Sequence, residues 1–151
     1  MVVAIGLWLR AWSAGTIHKD EDLTTTGPYA YTRNPLYLGS FLIGLGVSTA
    51  GGHWIWPLAF LLFYAVVYSR AMAGEASHLA ELFPARYAEY ALAVPGFLPR
   101  VTPYRATNVS GGSPSGFRWA QYSRNREWEA SLGAAAAFGL LLAKVVWLGG
   151  S

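Results

Sequence analysis

The sequence predicts an all-α, integral-membrane helical bundle of about four membrane helices, two of them joined as a tight hairpin. Three observations carry that prediction. The 151 residues are 54% hydrophobic and only 13% charged, against about 25% charged in an ordinary soluble domain. Two charge-free apolar stretches, residues 36–50 and 54–69, are separated only by Gly51-Gly52-His53. Seven Trp and nine Tyr accompany them, the side chains that settle at headgroup level. By length the chain is one domain, 1–151, with a core motif region at 18–99 and an interfacial-plus-membrane segment at 117–148.

In chain order, residues 1–12 (MVVAIGLWLRAW) are apolar but short of the roughly 20 residues a full span needs. They predict a short or partial membrane helix ending near Arg10–Trp12. The start lacks the basic residues and small-residue cleavage site of a secretory signal. Residues 13–35 are polar, and Asp20, Glu21 and Asp22 read as solvated loop charge. Gly27-Pro28 signals a turn. Asn34-Pro35 reads as a helix start, because Asn caps orphan amides and Pro suits the first helical position.

Residues 36–50 present Gly39, Ser40, Gly44 and Gly46, a small-residue face of the kind that lets membrane helices pack closely. Residues 54–69 form the returning helix, with Trp54 and Trp56 at one interface and Tyr68 and Arg70 at the other. Pro57 falls in the first turn, where it is tolerated. Residues 70–92 continue as a mostly helical cytosolic segment in which Leu79, Leu82 and Phe83 share a face, and Pro84 opens a separate short helix. A Gly/Ser/Pro-rich loop over 100–116 leads into an aromatic and polar helix, 117–129, and an apolar stretch, 130–148, about long enough to span.

Ten of the eleven basic residues fall in two regions, Arg10 to Arg33 and Arg70 to Arg126, and the hairpin tip has none. By the positive-inside rule both regions face the cytosol, so Asn34 and Glu75 share one membrane face. The net charge of +3 does not point to nucleic acid, and with no cysteine there are no disulfides or thiolate ligands. There is no metal-spaced cluster and no Gly-x-Gly-x-x-Gly after a strand. His53 and His78 read as structural.

What remains is a constellation at the cytosolic face. Glu75 ends a charge-free helix, and such carboxylates are functional hypotheses by default. Arg33, Asn34, Pro35, Tyr29 and Tyr37 add donors and aromatic faces at the same depth. They suit a ligand with a cationic centre, an amino-acid end and a flat base.

GPYAYTRNPLYLG resembles the Gly-x-Tyr-x-x-x-Arg-His/Asn-Pro-x-Tyr-x-Gly signature of isoprenylcysteine carboxyl methyltransferases and phospholipid methyltransferases. Glu75, Leu79, Phe83, Tyr87, Tyr90, Val94, Pro95 and Pro99 are similar to the second motif of that family. The resemblance covers about Leu23 to Pro99. It implies S-adenosylmethionine bound on the cytosolic side by Leu23, Thr24, Tyr29, Asn34, Pro35, Tyr37 and Glu75, with Gly44 and Gly46 beside them. It makes Arg33 and Arg70 the candidate catalytic residues. The departures are Ala76 for a second glutamate, Asn34 for the common His, Pro84 for a Gly, Glu21 for a His, and Ala71, with Arg70 adjacent, for an arginine. The implied acceptor is lipidic or amphipathic; its reacting group is a carboxylate, an amine or a thiol, and no general base stands out. Residues 117–129 read as an interfacial anchor or as the lining of the acceptor's route from the bilayer. Two alternatives are a sterol-reductase-like enzyme using NADPH, whose Arg-Asp-x-x-x-Cys and Lys-Tyr-Gly-x-x-Trp stretches are absent here, and a non-catalytic membrane scaffold.

Overall fold

A computed structural model describes residues 1–17, 22–105 and Trp119. The element order is α1 (Val2–Thr16), a 3₁₀ turn (Gly27–Ala30), α2 (Pro35–Ala50), α3 (Ile55–Leu82) and α4 (Pro84–Ala93). Every regular element among the described residues is helical, as the sequence predicts. The expected segments 117–129, Trp119 excepted, and 130–148 lie outside the described residues, as do His18 and Glu21.

The helix boundaries differ from the expectation at both ends of the core. α1 does not stop near Trp12 but runs to Thr16. Its last turn turns polar without breaking, because Ser13 Oγ and Thr16 Oγ1 bond back to the Leu9 and Trp12 carbonyls at 2.7 and 2.8 Å. The returning helix and the helical stretch expected after it form one helix, α3, of 28 residues from Ile55 to Leu82, so Glu75 lies within its body and not at its end. α3 is long and apolar enough to cross a membrane, α2 is apolar but shorter, and among the described residues α3 alone meets that length. The anticipated break at Pro84 is present: Phe83 leaves helical geometry and α4 starts at Pro84.

The hairpin turn is closed by Gly51 N–H and Gly52 N–H on Ser48 O and Thr49 O, at 3.2 and 3.3 Å. Gly52 adopts φ +74°, a left-handed conformation that a Cβ disfavours. Asn34 occupies the N-cap of α2 but makes no side-chain cap. Its amide is used elsewhere, as described below.

α1 packs mainly against α2, and small residues set the distance. A Cβ on Gly6 would come within 2.7 Å of Gly39 O, and one on Gly39 within 2.9 Å of Gly6 O. Backbone cannot yield as a side-chain tip can. A Cβ on Gly44 would instead meet the Phe60 ring, and one on Gly46 the Val3 side chain. We therefore expect Gly6→Ala and Gly39→Val to destabilise the protein by about 1–3 kcal/mol, the usual cost of overpacking, and Gly44→Ala to cost less. Thermal unfolding in detergent checks the order; equal melting temperatures for Gly6→Ala and Gly44→Ala would contradict this account of the contact.

Candidate functional site

The segment between the 3₁₀ turn and α2 has few backbone partners of its own, so the chain following α4 supplies them. Arg33 N–H donates to Pro95 O at 3.0 Å, Arg100 N–H to Tyr31 O at 2.9 Å, and Tyr104 N–H to Ala30 O at 2.8 Å. Asn34 Nδ2 donates to Gly96 O at 2.7 Å, and buried Thr32 donates through Oγ1 to Phe97 O at 3.0 Å. These bonds lash residues 30–34 to residues 95–104.

Tyr90 fastens the same region from α4. Its hydroxyl donates to Tyr29 O at 2.7 Å. Burial raises its pKa well above the usual phenol range, with the Arg33 charge opposing, so it stays a neutral donor. Tyr87 and Tyr90 of α4, and Val94 at its C-terminal cap, pack with Leu23 in one buried cluster. Arg86 pairs with Asp22 at 2.7 Å across the same interface. The pair is exposed, so packing rather than charge holds the loop here.

Beneath this clamp lies a cavity of about 760 Å³, within the range of about 300–1,000 Å³ typical of small-molecule sites. Leu23, Thr24, Tyr29, Arg33, Asn34, Arg70 and Glu75 all line it, although they come from three separate stretches of chain. A smaller polar chamber of about 280 Å³ shares Tyr29, Arg33, Asn34 and Glu75 with it, and adds Pro35, Tyr37 and Arg10. Glu75 stands between the two, and Tyr37 donates to its Oε2 at 3.3 Å. Tyr37 is itself located by Tyr64, whose hydroxyl donates to Tyr37 O at 2.7 Å.

Gly44 and Gly46 are not brought to this site. They line neither cavity, and their missing side chains make room for Phe60 and Val3. The Gly-x-Gly step is thus helix packing, the use small residues usually have in apolar helices. Arg70, one position from the Ala71 that takes the place of an expected arginine, does line the large cavity.

Three participants escaped the sequence reading. Arg10 hydrogen-bonds Ser40 Oγ and reaches Leu36 O at 3.4 Å; an ionisable residue inside an apolar helix was the available signal. Phe97 lines the cavity and meets Phe41 edge-on at a centroid distance of 5.6 Å, a contact no local pattern announces. His78, read as structural, is on the cavity wall. Arg33 donates through NH1 to Tyr87 Oη at 3.2 Å, yet its Nε is buried with no hydrogen-bond partner among the described residues. Among these residues no group of three or more His, Asp or Glu could hold a metal ion.

A helical protein with an aromatic-walled cavity, closed by paired loops at the ends of apolar helices, is the class this geometry defines. The phospholipid methyltransferase family model matches residues 1–86, and the chain belongs to that family. It is similar to the cobalt-zinc-cadmium resistance protein CzcN of Cupriavidus metallidurans, 38% identical over 105 residues, 68% of this chain and 46% of the relative. It is also similar to the nickel-cobalt-cadmium resistance protein NccN of Alcaligenes xylosoxydans, 34% identical over 105 residues, 68% of this chain and 47% of that one. A third relative is the protein-S-isoprenylcysteine O-methyltransferase of Schizosaccharomyces pombe, 33% identical over 84 residues, 56% of this chain and 36% of the relative. The chain thus spans less than half the length of these relatives. No solved structure matches.

The Asn34–Gly96 bond generates a graded expectation. Asn34→Asp puts a carboxylate against a carbonyl and should loosen the clamp most. Asn34→Ala loses one hydrogen bond, about 1 kcal/mol, and Asn34→His, which keeps a donor, should lose least. Hydrogen exchange at the Arg33 and Arg100 amides reads this directly, and protection unchanged in Asn34→Asp would show that the bond does not hold the loops.

Proposed function

We propose that this protein is an S-adenosylmethionine-dependent membrane methyltransferase acting on an amphipathic or lipidic acceptor at the cytosolic face. The observation that carries the reading is the large cavity. It gathers Leu23, Thr24, Tyr29, Arg33, Asn34 and Glu75 around one space, in a chain of the phospholipid methyltransferase family.

The lining fits such a cofactor. Tyr29, Tyr87, Tyr90 and Phe97 offer aromatic faces, which attract a cationic sulfur. The unpartnered Arg33 Nε suits a carboxylate, and Glu75 suits an ammonium or ribose hydroxyls. When bound, S-adenosylmethionine supplies a methyl group already activated by its sulfonium. What the chain adds is positioning and exclusion of water. Leu23, packed against α4, and the buried Thr24 close the cavity from the loop side. Tyr37 orients Glu75 from the smaller chamber. Arg33 and Arg70 set positive charge on the wall, where it draws an anionic part of the acceptor.

Membrane embedding is supported by α3. Trp56, Leu58, Leu61, Leu62, Phe63, Val66 and Val67 are all exposed, and an apolar surface that wide marks contact with lipid or another apolar partner. In this reading α1, α2 and α3, with residues 130–148, make up the four-helix membrane bundle. The basic loops put the cavity in the cytosol and the Gly51–His53 tip on the opposite side.

Calorimetry with S-adenosylhomocysteine tests the site. The wild type should bind it, and Glu75→Ala should weaken binding at least about tenfold, the equivalent of a charged hydrogen bond of about 1.5–3 kcal/mol. Binding of NADPH instead would favour a reductase, and binding of neither a scaffold. For topology, a His53→Cys variant should react with a membrane-impermeant maleimide only from the non-cytosolic side; labelling from the cytosol alone would reverse the orientation.

A further inference from the structure

The loop after α4 carries apolar side chains that the clamp does not use. Leu98 is 73% exposed and Val101 95%, although the chain on either side of them is tied down. Phe97 packs against Phe41 at a centroid distance of 5.6 Å and against Tyr64 at 5.9 Å. Phe41 lies six residues along α2 from Pro35, about 9 Å at the rise of an α-helix, and Tyr64 is buried within the apolar half of α3. The loop therefore dips alongside the first turns of α2 and then climbs. Arg100 N–H donates to Tyr31 O and Tyr104 N–H to Ala30 O, so by these residues it is level again with the segment that precedes α2. Consecutive Cα atoms are 3.8 Å apart. Leu98 thus stays near the bottom of the dip and Val101 near its rim.

Two further features suit the dip to a medium poor in water. The carbonyls of Pro95, Gly96 and Phe97 are all taken, by Arg33 N–H, Asn34 Nδ2 and Thr32 Oγ1, and Pro95 and Pro99 have no N–H to satisfy. Backbone lowered to lipid depth needs its polar groups met in this way. On the climb the chain then turns basic, with Arg100 and Arg105. Neither has a carboxylate partner among the described residues. Arg100 spends NH1 on Ala93 O at 2.8 Å and NH2 on Thr102 Oγ1 at 3.2 Å, two of the five N–H donors a guanidinium carries.

We propose that residues 97–105 form a lipid-anchoring edge beside the cavity: Leu98 enters the acyl boundary, Val101 lies at headgroup level, and Arg100 and Arg105 take the phosphates of anionic lipids. This rests on the membrane embedding of α2 and α3 read above and is independent of the cofactor. Apolar side chains in the acyl boundary with basic ones at the phosphates are the arrangement by which interfacial segments hold a charged membrane. A water-soluble partner would have to reach a leucine seated beside the embedded turns of α2, where the bilayer is already in contact. Gly96 and Phe97 also line the large cavity, so the anchor sets one cavity wall at the membrane surface.

The chain has no cysteine, so Leu98→Cys, Val101→Cys and Leu62→Cys each carry a single nitroxide label. In vesicles of phosphatidylcholine and phosphatidylglycerol, collision of the label with oxygen, which concentrates among acyl chains, and with a water-soluble nickel chelate reads its depth. Leu62, exposed on α3, is the lipid reference. Oxygen should dominate at position 98 and the two reagents should balance at position 101. The preference of the purified protein for phosphatidylglycerol over phosphatidylcholine should fall about fivefold for each arginine removed, the worth of one basic side chain at an anionic surface. Arg105→Gln leaves the Arg100 bonds intact, and circular dichroism verifies the helix content of this variant and of the double variant with Arg100→Gln. A nickel-dominated signal at position 98 would overturn the proposal. Shielding there from both reagents would overturn it too, as the mark of a protein partner or of another segment of this chain. So would an unchanged lipid preference in the double variant. Nickel dominance at position 62 as well would overturn the membrane embedding, and this proposal with it; oxygen dominance at 62 beside nickel dominance at 98 rejects the anchor alone.

Discussion

The lashing of residues 30–34 to residues 95–104 is the constraint on which the rest of the structure depends. Asn34 and Thr32 give side-chain donors to Gly96 and Phe97, and Arg33 gives its backbone N–H to Pro95. Each bond contributes about 1 kcal/mol net, but together they satisfy polar backbone that would otherwise be stranded where an aqueous loop meets apolar helices. They also fix where α4 sits. With α4 in place, Tyr87 and Tyr90 become walls of the cavity and Leu23 acquires its packing partners. Without the lashing, the cavity would be an open face of α3.

The helices provide a rigid frame for this clamp. α1 and α2 approach to backbone contact at Gly6 and Gly39, which leaves Arg10 no room except across α2, towards Ser40 and the Leu36 carbonyl. On the other side of α2, Tyr64 holds the Tyr37 carbonyl. The first turn of α2 is thus gripped from both flanks. Tyr37, on that turn, is presented to Glu75 at a set height. A carboxylate between two chambers, met by a phenol from α2, is a different object from an isolated acid at the end of a membrane helix.

The division of glycines illustrates how one residue type serves two demands. Gly27 and Gly52 take positive φ because turns need it. Gly6, Gly39, Gly44 and Gly46 lie in helices and make room for neighbours. None of the latter lines either cavity, and Gly44 and Gly46 lie against Phe60 and Val3. The same economy holds for Asn34, whose helix-capping chemistry is diverted to a carbonyl 62 residues away.

The sequence by itself determined the helical class, the hairpin with its glycine turn, the break at Pro84 and the grouping of Asn34 with Glu75. Those features are local or periodic: charge-free runs, turn glycines and a proline that cannot continue a helix leave few alternatives. Most of the cavity residues were legible for another reason, their spacing in two recognisable motifs. Tertiary structure decided the rest. That one unbroken helix, α3, carries both the apolar stretch and Glu75 was such a decision. The fate of Asn34 depends on where Gly96 arrives, and the roles of Arg10 and Phe97 depend on contacts between segments far apart in sequence. Such contacts reflect which surfaces meet when helices pack and loops close, and no window of residues read along the chain contains that information.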